Sequence, residues 1–257
     1  MRHGILTLIL LVGMGVLLIS GCNKDEDNTV TPPATIPPIT ANLFPTIAGH
    51  QFVYVGYGIM TNGAAIPDPN HVYKTVWTIG PTGSTPVGIA TTIVDTTTLQ
   101  GSTGTVGKKS YLFVKKDSAT GDVQFMQTLG PFFRAFGISR TDTLRWIMVS
   151  KQSVGLGGTW TALDSTYAGP GGASIRLQIL GKMEDTTVIT DSAATPVQHH
   201  VYRTRTYRNI FVNGATTVSN ASTSEIWLEP NVGPVQIHIY QDTENIGHFR
   251  VLRSKSF

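Results

Sequence analysis

ASIRLQILGKME, residues 173–184, carries the clearest structural signal in the chain. Ile175, Leu177, Ile179 and Met183 fall on one parity, Arg176, Gln178, Lys182 and Glu184 on the other. Successive side chains of an extended strand point to opposite faces, so this alternation predicts a β-strand with one face on a core. Leu180 interrupts the polar set, and that face is therefore expected to be partly covered. An amphipathic helix would need apolar residues three and four apart, and no stretch of normal helix length provides them convincingly.

The same texture continues on both sides. HHVYRTRTYRNIFV (199–212) reads as a long strand closed by Asn213-Gly214, a pair suited to the left-handed conformations of a tight hairpin. A strand over roughly 216–228, then VQIHIYQD (235–242) and HFRVLRSK (248–255), completes an antiparallel meander. Towards the N-terminus, FVYVGYGIM (52–60), HVYKTVWTI (71–79), GIATTIVDTTT (88–98), KSYLFVKK (109–116), DVQFMQTL (122–129) and RWIMVSK (145–151) are strand candidates. DSATG (117–121) reads as a hairpin loop, and GPFFRAFGI (130–138) as either one helical turn or a loop with its phenylalanines inward. The expected fold is mainly β: a curved antiparallel sheet or partly open barrel or half-barrel, with little helix. The run of Gly and Pro at 169–172 leaves open whether residues 49–257 form one β domain or two units divided there.

The N-terminus has a different character. Arg2 precedes an apolar run from Gly4 to Ser20, the arrangement of an export signal over residues 1–21. Ile19-Ser20-Gly21-Cys22 follows, with the only cysteine of the 257 residues at its end. This segment resembles the lipobox of bacterial lipoproteins. The resemblance implies a diacylglyceryl group on the Cys22 thiol, cleavage before it and acylation of the new amine, giving an anchor in the membrane. Several acyl chains would hold stably where one would be marginal. A lipidated Cys22 leaves no thiol for a disulfide or a thiolate metal site. Lys24, Asp25, Glu26 and Asp27 then resemble the charged sorting signal of Bacteroidota lipoproteins. That implies an outer-membrane location, with the cell-surface face slightly favoured over the periplasmic one. Residues 22–48, acidic and then rich in Pro and Thr, read as a tether with polyproline character.

Two further segments resemble Bacteroidota lipoproteins of unknown function. SVGLGGTWT (153–161) is similar to their glycine-then-tryptophan segment, although Val154-Gly155 stands further from Trp160 than in the usual V-G-x-W form. SEIWLEPNVGPVQIHIY (224–240) is similar to their later strand-turn-strand, with Val232-Gly233 kept and the usual leucine and lysine absent. The likeness covers roughly Trp146 to Tyr240. It implies a curved sheet like that of periplasmic lipoprotein carriers and supplies no catalytic residues. Trp160 and Trp227 are expected either to pack a curved sheet's core or to line an apolar ligand groove.

Catalytic patterns are missing from the sequence. It contains no G-x-S-x-G, no H-E-x-x-H and no phosphate loop, and Ser165 beside Asp164 lacks flanking glycines. His199 and His200, adjacent on a strand, face opposite ways and cannot chelate one metal; His238 and His248 sit on neighbouring strands. Asp122, Glu184, Asp185 and Asp191 read as turn decoration or as part of a carbohydrate or calcium site. Arg203 and Arg205 share one strand face and Arg208 takes the other. With 19 basic and 16 acidic residues, charge gives no reason to expect nucleic-acid binding. No cofactor or metal is expected. The leading reading is a non-enzymatic cell-envelope lipoprotein, structural or binding an apolar ligand, a glycan or an envelope protein. Alternatives are a lipid or lipoprotein carrier with an apolar groove, and an envelope hydrolase whose site is noncontiguous in sequence.

Overall fold

The structure is a computed structural model and describes residues 39–59, 72–99, 108–240 and 247–257. Twelve strands account for most of them: β1 (Gln51–Ile59), β2 (Val72–Thr85), β3 (Gly88–Leu99), β4 (Lys108–Lys116), β5 (Val123–Thr128), β6 (Leu144–Ser150), β7 (Thr159–Ala168), β8 (Ser174–Thr190), β9 (Gln198–Val212), β10 (Ala215–Glu229), β11 (Gly233–Ile239) and β12 (Gly247–Ser256). The order across the single sheet is β6-β5-β4-β3-β2-β1-β12-β11-β10-β9-β8-β7, with every pair antiparallel. The result is a nearly closed barrel with one unsealed seam, between β6 and β7, and almost no helix. The expectation of a curved, partly open β fold is met.

Alternation built this sheet as the sequence suggested. On β8, Ile175, Leu177, Ile179 and Met183 are buried, and Leu180 on the opposite face is half-buried. Each such side chain contributes about 2 kcal/mol by leaving water. Tyr54, Trp77, Ile93, Val114 and Leu252 belong to the same core. The β9–β10 hairpin turns at Asn213 (φ 51°) and Gly214 (φ 83°), both in the left-handed region that a two-residue hairpin demands. Gly169–Gly172 is the connection between β7 and β8, two paired strands of the one sheet.

The helical and loop readings of residues 130–138 merge into one. Helix α1 (Gly130–Ala135) turns Phe132 and Phe133 inward, where their rings lie 5.9 and 4.9 Å from that of Tyr167. At the opposite end, the segment before β1 packs onto the barrel. Leu43 and Phe44 are buried, Ile39 N–H donates to Gln152 O, and Asn42 O accepts from Asn231 N–H. That segment therefore runs from the β6–β7 connection to the β10–β11 turn.

Two elements depart from expectation. β2 continues past Ile79 to Thr85, through Gly80 and Pro81. Proline has no N–H for the ladder, and the register shifts between Ile79 and Thr82 to accommodate it. ALDSTY (162–167), for which no strand was expected, lies within β7. Trp160 and Tyr167 are both buried although seven residues apart, so strict alternation would put them on opposite faces. A bulge between Thr161 and Leu163 resets the parity.

Candidate functional site

Trp160 and Trp227 are placed differently by their strands. Trp160 faces the core at the seam, and its indole N–H donates to Met148 O on β6, 3.0 Å away. Its ring lies directly over Gly181 of β8, where a Cβ would fall inside the indole. Trp227 is buried edge-on to His238, with centroids 4.8 Å apart. Cys22 lies outside the described residues.

Among the described residues, one cleft of the barrel measures about 450 Å³ and another about 390 Å³. Neither is lined by a tryptophan. The first lies between β3, β4 and β5 and includes Thr82, Thr91, Lys116, Asp117, Asp122 and Gln124. Its polar groups are largely engaged within the protein. Lys116 Nζ donates to Asn42 Oδ1 at 2.5 Å, and burial holds its ammonium below the usual lysine range. Asp122 accepts from Ser153 N–H at 3.1 Å and from its hydroxyl at 2.9 Å. Asp117 is held below the ordinary carboxylate range by the Thr120 and Ala119 N–H groups. Thr82 and Thr91 share a hydroxyl hydrogen bond of 2.6 Å. Such a lining can meet a hydroxylated or peptide surface. Among the described residues, the carboxylates of this cleft, Asp117 and Asp122, are both engaged by donors of the protein. The second cleft is bordered by Thr187, Val188, His200, Tyr202 and Pro230.

The basic cluster of β9 divides by face, as alternation requires. Arg203 is clasped by Glu184 and Asp185, each 3.0 Å away. Arg205 lies 3.7 Å from Glu184 and 3.5 Å from Glu225 and donates to the Ser222 hydroxyl. Burial and the adjacent Glu225 push the Tyr240 phenol up to about 12. Arg208, on the other face, has none of these partners.

Inside the barrel, Asp95 gathers three donors: Arg250 Nη1 at 3.0 Å, the Trp77 indole at 2.9 Å and Thr97 Oγ1 at 2.9 Å. The charges of Asp95 and Arg250 offset each other in this network, although Arg250 Nε is buried without an acceptor.

The histidines separate. His238 on β11 faces Phe249, whereas His248 pairs with Ile239 and meets the Tyr73 hydroxyl at 2.7 Å, so the two point to opposite faces. His200 is exposed, but His199 is buried between two acids to which no sequence pattern links it. Its Nδ1 lies 2.6 Å from Glu229 and its Nε2 3.1 Å from Asp191. Both ring nitrogens are occupied by carboxylates in this way, which suits a strap better than a metal ligand. Among the described residues, no group of three or more His, Cys, Asp or Glu side chains is arranged to hold a metal. Asp164 is engaged by Arg176 at 2.5 Å and by Gln178 at 3.1 Å, with no histidine beside it.

No protein-family model matches the chain, and no curated protein does so. Two crystal structures are similar to it. One is of a Bacteroides fragilis protein named as exported and as having a YmcC-like fold, with 13% identity over 84% of this chain and 100% of that chain, and a TM-score of 0.40. The other is of a Parabacteroides distasonis protein named as a lipoprotein, with 14% identity over 84% of this chain and 99% of that chain, and a TM-score of 0.43.

Proposed function

We propose that this chain is a non-enzymatic lipoprotein of a bacterial cell envelope, anchored in the outer membrane by lipids on Cys22. Residues 1–21 serve as its export signal, and the stretch from Cys22 to about residue 38, ahead of the segment packed on the barrel, holds the β domain away from the bilayer. The observation that carries this reading is the sequence Ile19-Ser20-Gly21-Cys22 at the end of an apolar run, followed by a charged and proline-rich stretch. Its support from the structure is the character of the barrel. Large side chains fill its core and, among the described residues, its acids are engaged in ion pairs, hydrogen bonds and turns. Such a domain is suited to binding at its surface, with a glycan or an envelope protein as partner.

The anchor has a direct test. Cells expressing Cys22→Ser and the unaltered protein are fed an alkyne fatty acid and fractionated. The unaltered chain is expected to be labelled and to sediment with membranes. The variant should lose the label and leave the membrane fraction; retention of both would sink the assignment.

A further inference from the structure

Arg208 is the one arginine of β9 left without a partner among the described residues. The strand runs without a bulge of its own, so Thr206, Arg208 and Ile210 share a face, and Thr206 and Ile210 are buried at 3% exposure each. Arg208 stands opposite buried Ile179 on β8 and Ala221 on β10. Its Nε is shielded from solvent with no acceptor, while the side chain as a whole is only partly exposed. No carboxylate, carbonyl or ring among the described residues pairs with its guanidinium. Arg203 and Arg205 on the other face each touch two acids, and Arg250 on the core face is matched by Asp95. Burial holds Arg208 below the usual guanidinium range, with no acid opposing it. An unmatched charge in such a place is strongly destabilising by itself.

One position along the same face, the Thr206 hydroxyl lies 2.7 Å from both Thr223 Oγ1 and Ser224 Oγ. Three hydroxyls carry three hydrogens, and two contacts use two of them. One O–H is left to donate outside the trio. A fork of guanidinium N–H groups and a spare hydroxyl beside apolar Ile179 and Ile210 form a donor set with no acceptor in the protein.

We propose that Arg208, with the Thr206–Thr223–Ser224 hydroxyl cluster, is a recognition point for an anionic group, a carboxylate or a phosphate. Planar oxyanions accept paired N–H donors from arginine, and desolvation strengthens the bond. The same chemistry is presented by a free ion and by the head of an amphiphile, whose chain would lie on the isoleucines. The site does not depend on the anchor at Cys22.

The test is thermal unfolding of the purified full-length protein at constant ionic strength, with chloride replaced by acetate, inorganic phosphate, decanoate or decyl phosphate. The last two are kept below their micelle concentrations. A saturable rise in Tm is expected with at least one of the four anions. Arg208→Gln should weaken that response about tenfold to a hundredfold, and Arg208→Lys less. Arg205→Gln, on the outer face, should respond like the unaltered protein. In chloride alone Arg208→Gln should be at least as stable, because it removes the unmatched charge. Equal responses to short ions and amphiphiles would assign the site to the head group alone; tighter amphiphiles would add the apolar wall. No saturable rise with any anion, or an undiminished rise in Arg208→Gln, overturns the proposal.

Discussion

Gly181 and Trp160 show how closely a single position can be specified. The indole occupies the space a side chain at 181 would need, and its N–H reaches across the seam to Met148 O. Gly181→Ala should therefore cost about 1–3 kcal/mol by overpacking, measured by urea denaturation followed through tryptophan fluorescence. An unchanged midpoint would mean that the indole moves freely. His238 permits a prediction about pH. Burial among Trp227, Tyr240 and Phe249 lowers its pKa from 6.5 to about 4. Between those values the unfolded chain binds a proton that the native state refuses, so stability is complete above about pH 6.5 and declines towards pH 4. His238→Phe keeps a ring in place and should flatten that part of the stability profile; an identical acid slope in the variant would discount His238. The sequence made the faces of Arg203, Arg205 and Arg208 readable, because parity within a strand is local. It could not reveal the acids around His199 at residues 191 and 229, because their approach depends on the sheet.

At the scale of elements, legibility followed regularity. β8 and β9 were plain because their alternation is long and one face is buried, and Asn213-Gly214 marked the turn between β9 and β10. β7 escaped because its bulge breaks the parity of Trp160 and Tyr167. Its edge position also leaves Thr159, Thr161, Thr166 and Ala168 exposed, so its composition reads as a loop. The tip of the β8–β9 hairpin is an element in its own right. Ser192 donates through both N–H and hydroxyl to Leu252 O, Asp191 receives the Ala193 and Val197 N–H groups, and His199 joins Asp191 to Glu229. Burial pushes the Asp191 carboxyl up, but the Val197 and Ala193 N–H groups and His199 outweigh it and hold it below its ordinary range. His199→Leu removes the bridge and should destabilise this tip by about 1–3 kcal/mol. Amide exchange within 191–201 should accelerate while β1 and β12 keep their protection. Uniform acceleration across the barrel would show that the tip is not a separate unit.

Across the whole molecule, every paired strand is a sequence neighbour of its partner except β1 and β12. The one consecutive pair without backbone ladder pairing, β6 and β7, forms the seam. The His50 and Phe257 rings stack 4.5 Å apart, so the two ends of the barrel's path meet beside each other. A circular permutant opened between Gly155 and Leu156, with a flexible linker from Phe257 to Ile39, would run from β7 through β12 and on from β1 to β6. Its sheet would then become an unbroken meander in which each strand meets the one just before it. Chains rich in local pairings fold faster at similar stability. The permutant should refold sooner than the natural order while keeping its β-sheet circular dichroism, and slower refolding would show that closing β1 on β12 is not the step that sets the pace. In the natural order, the middle of the sheet must wait for the last strand of the chain.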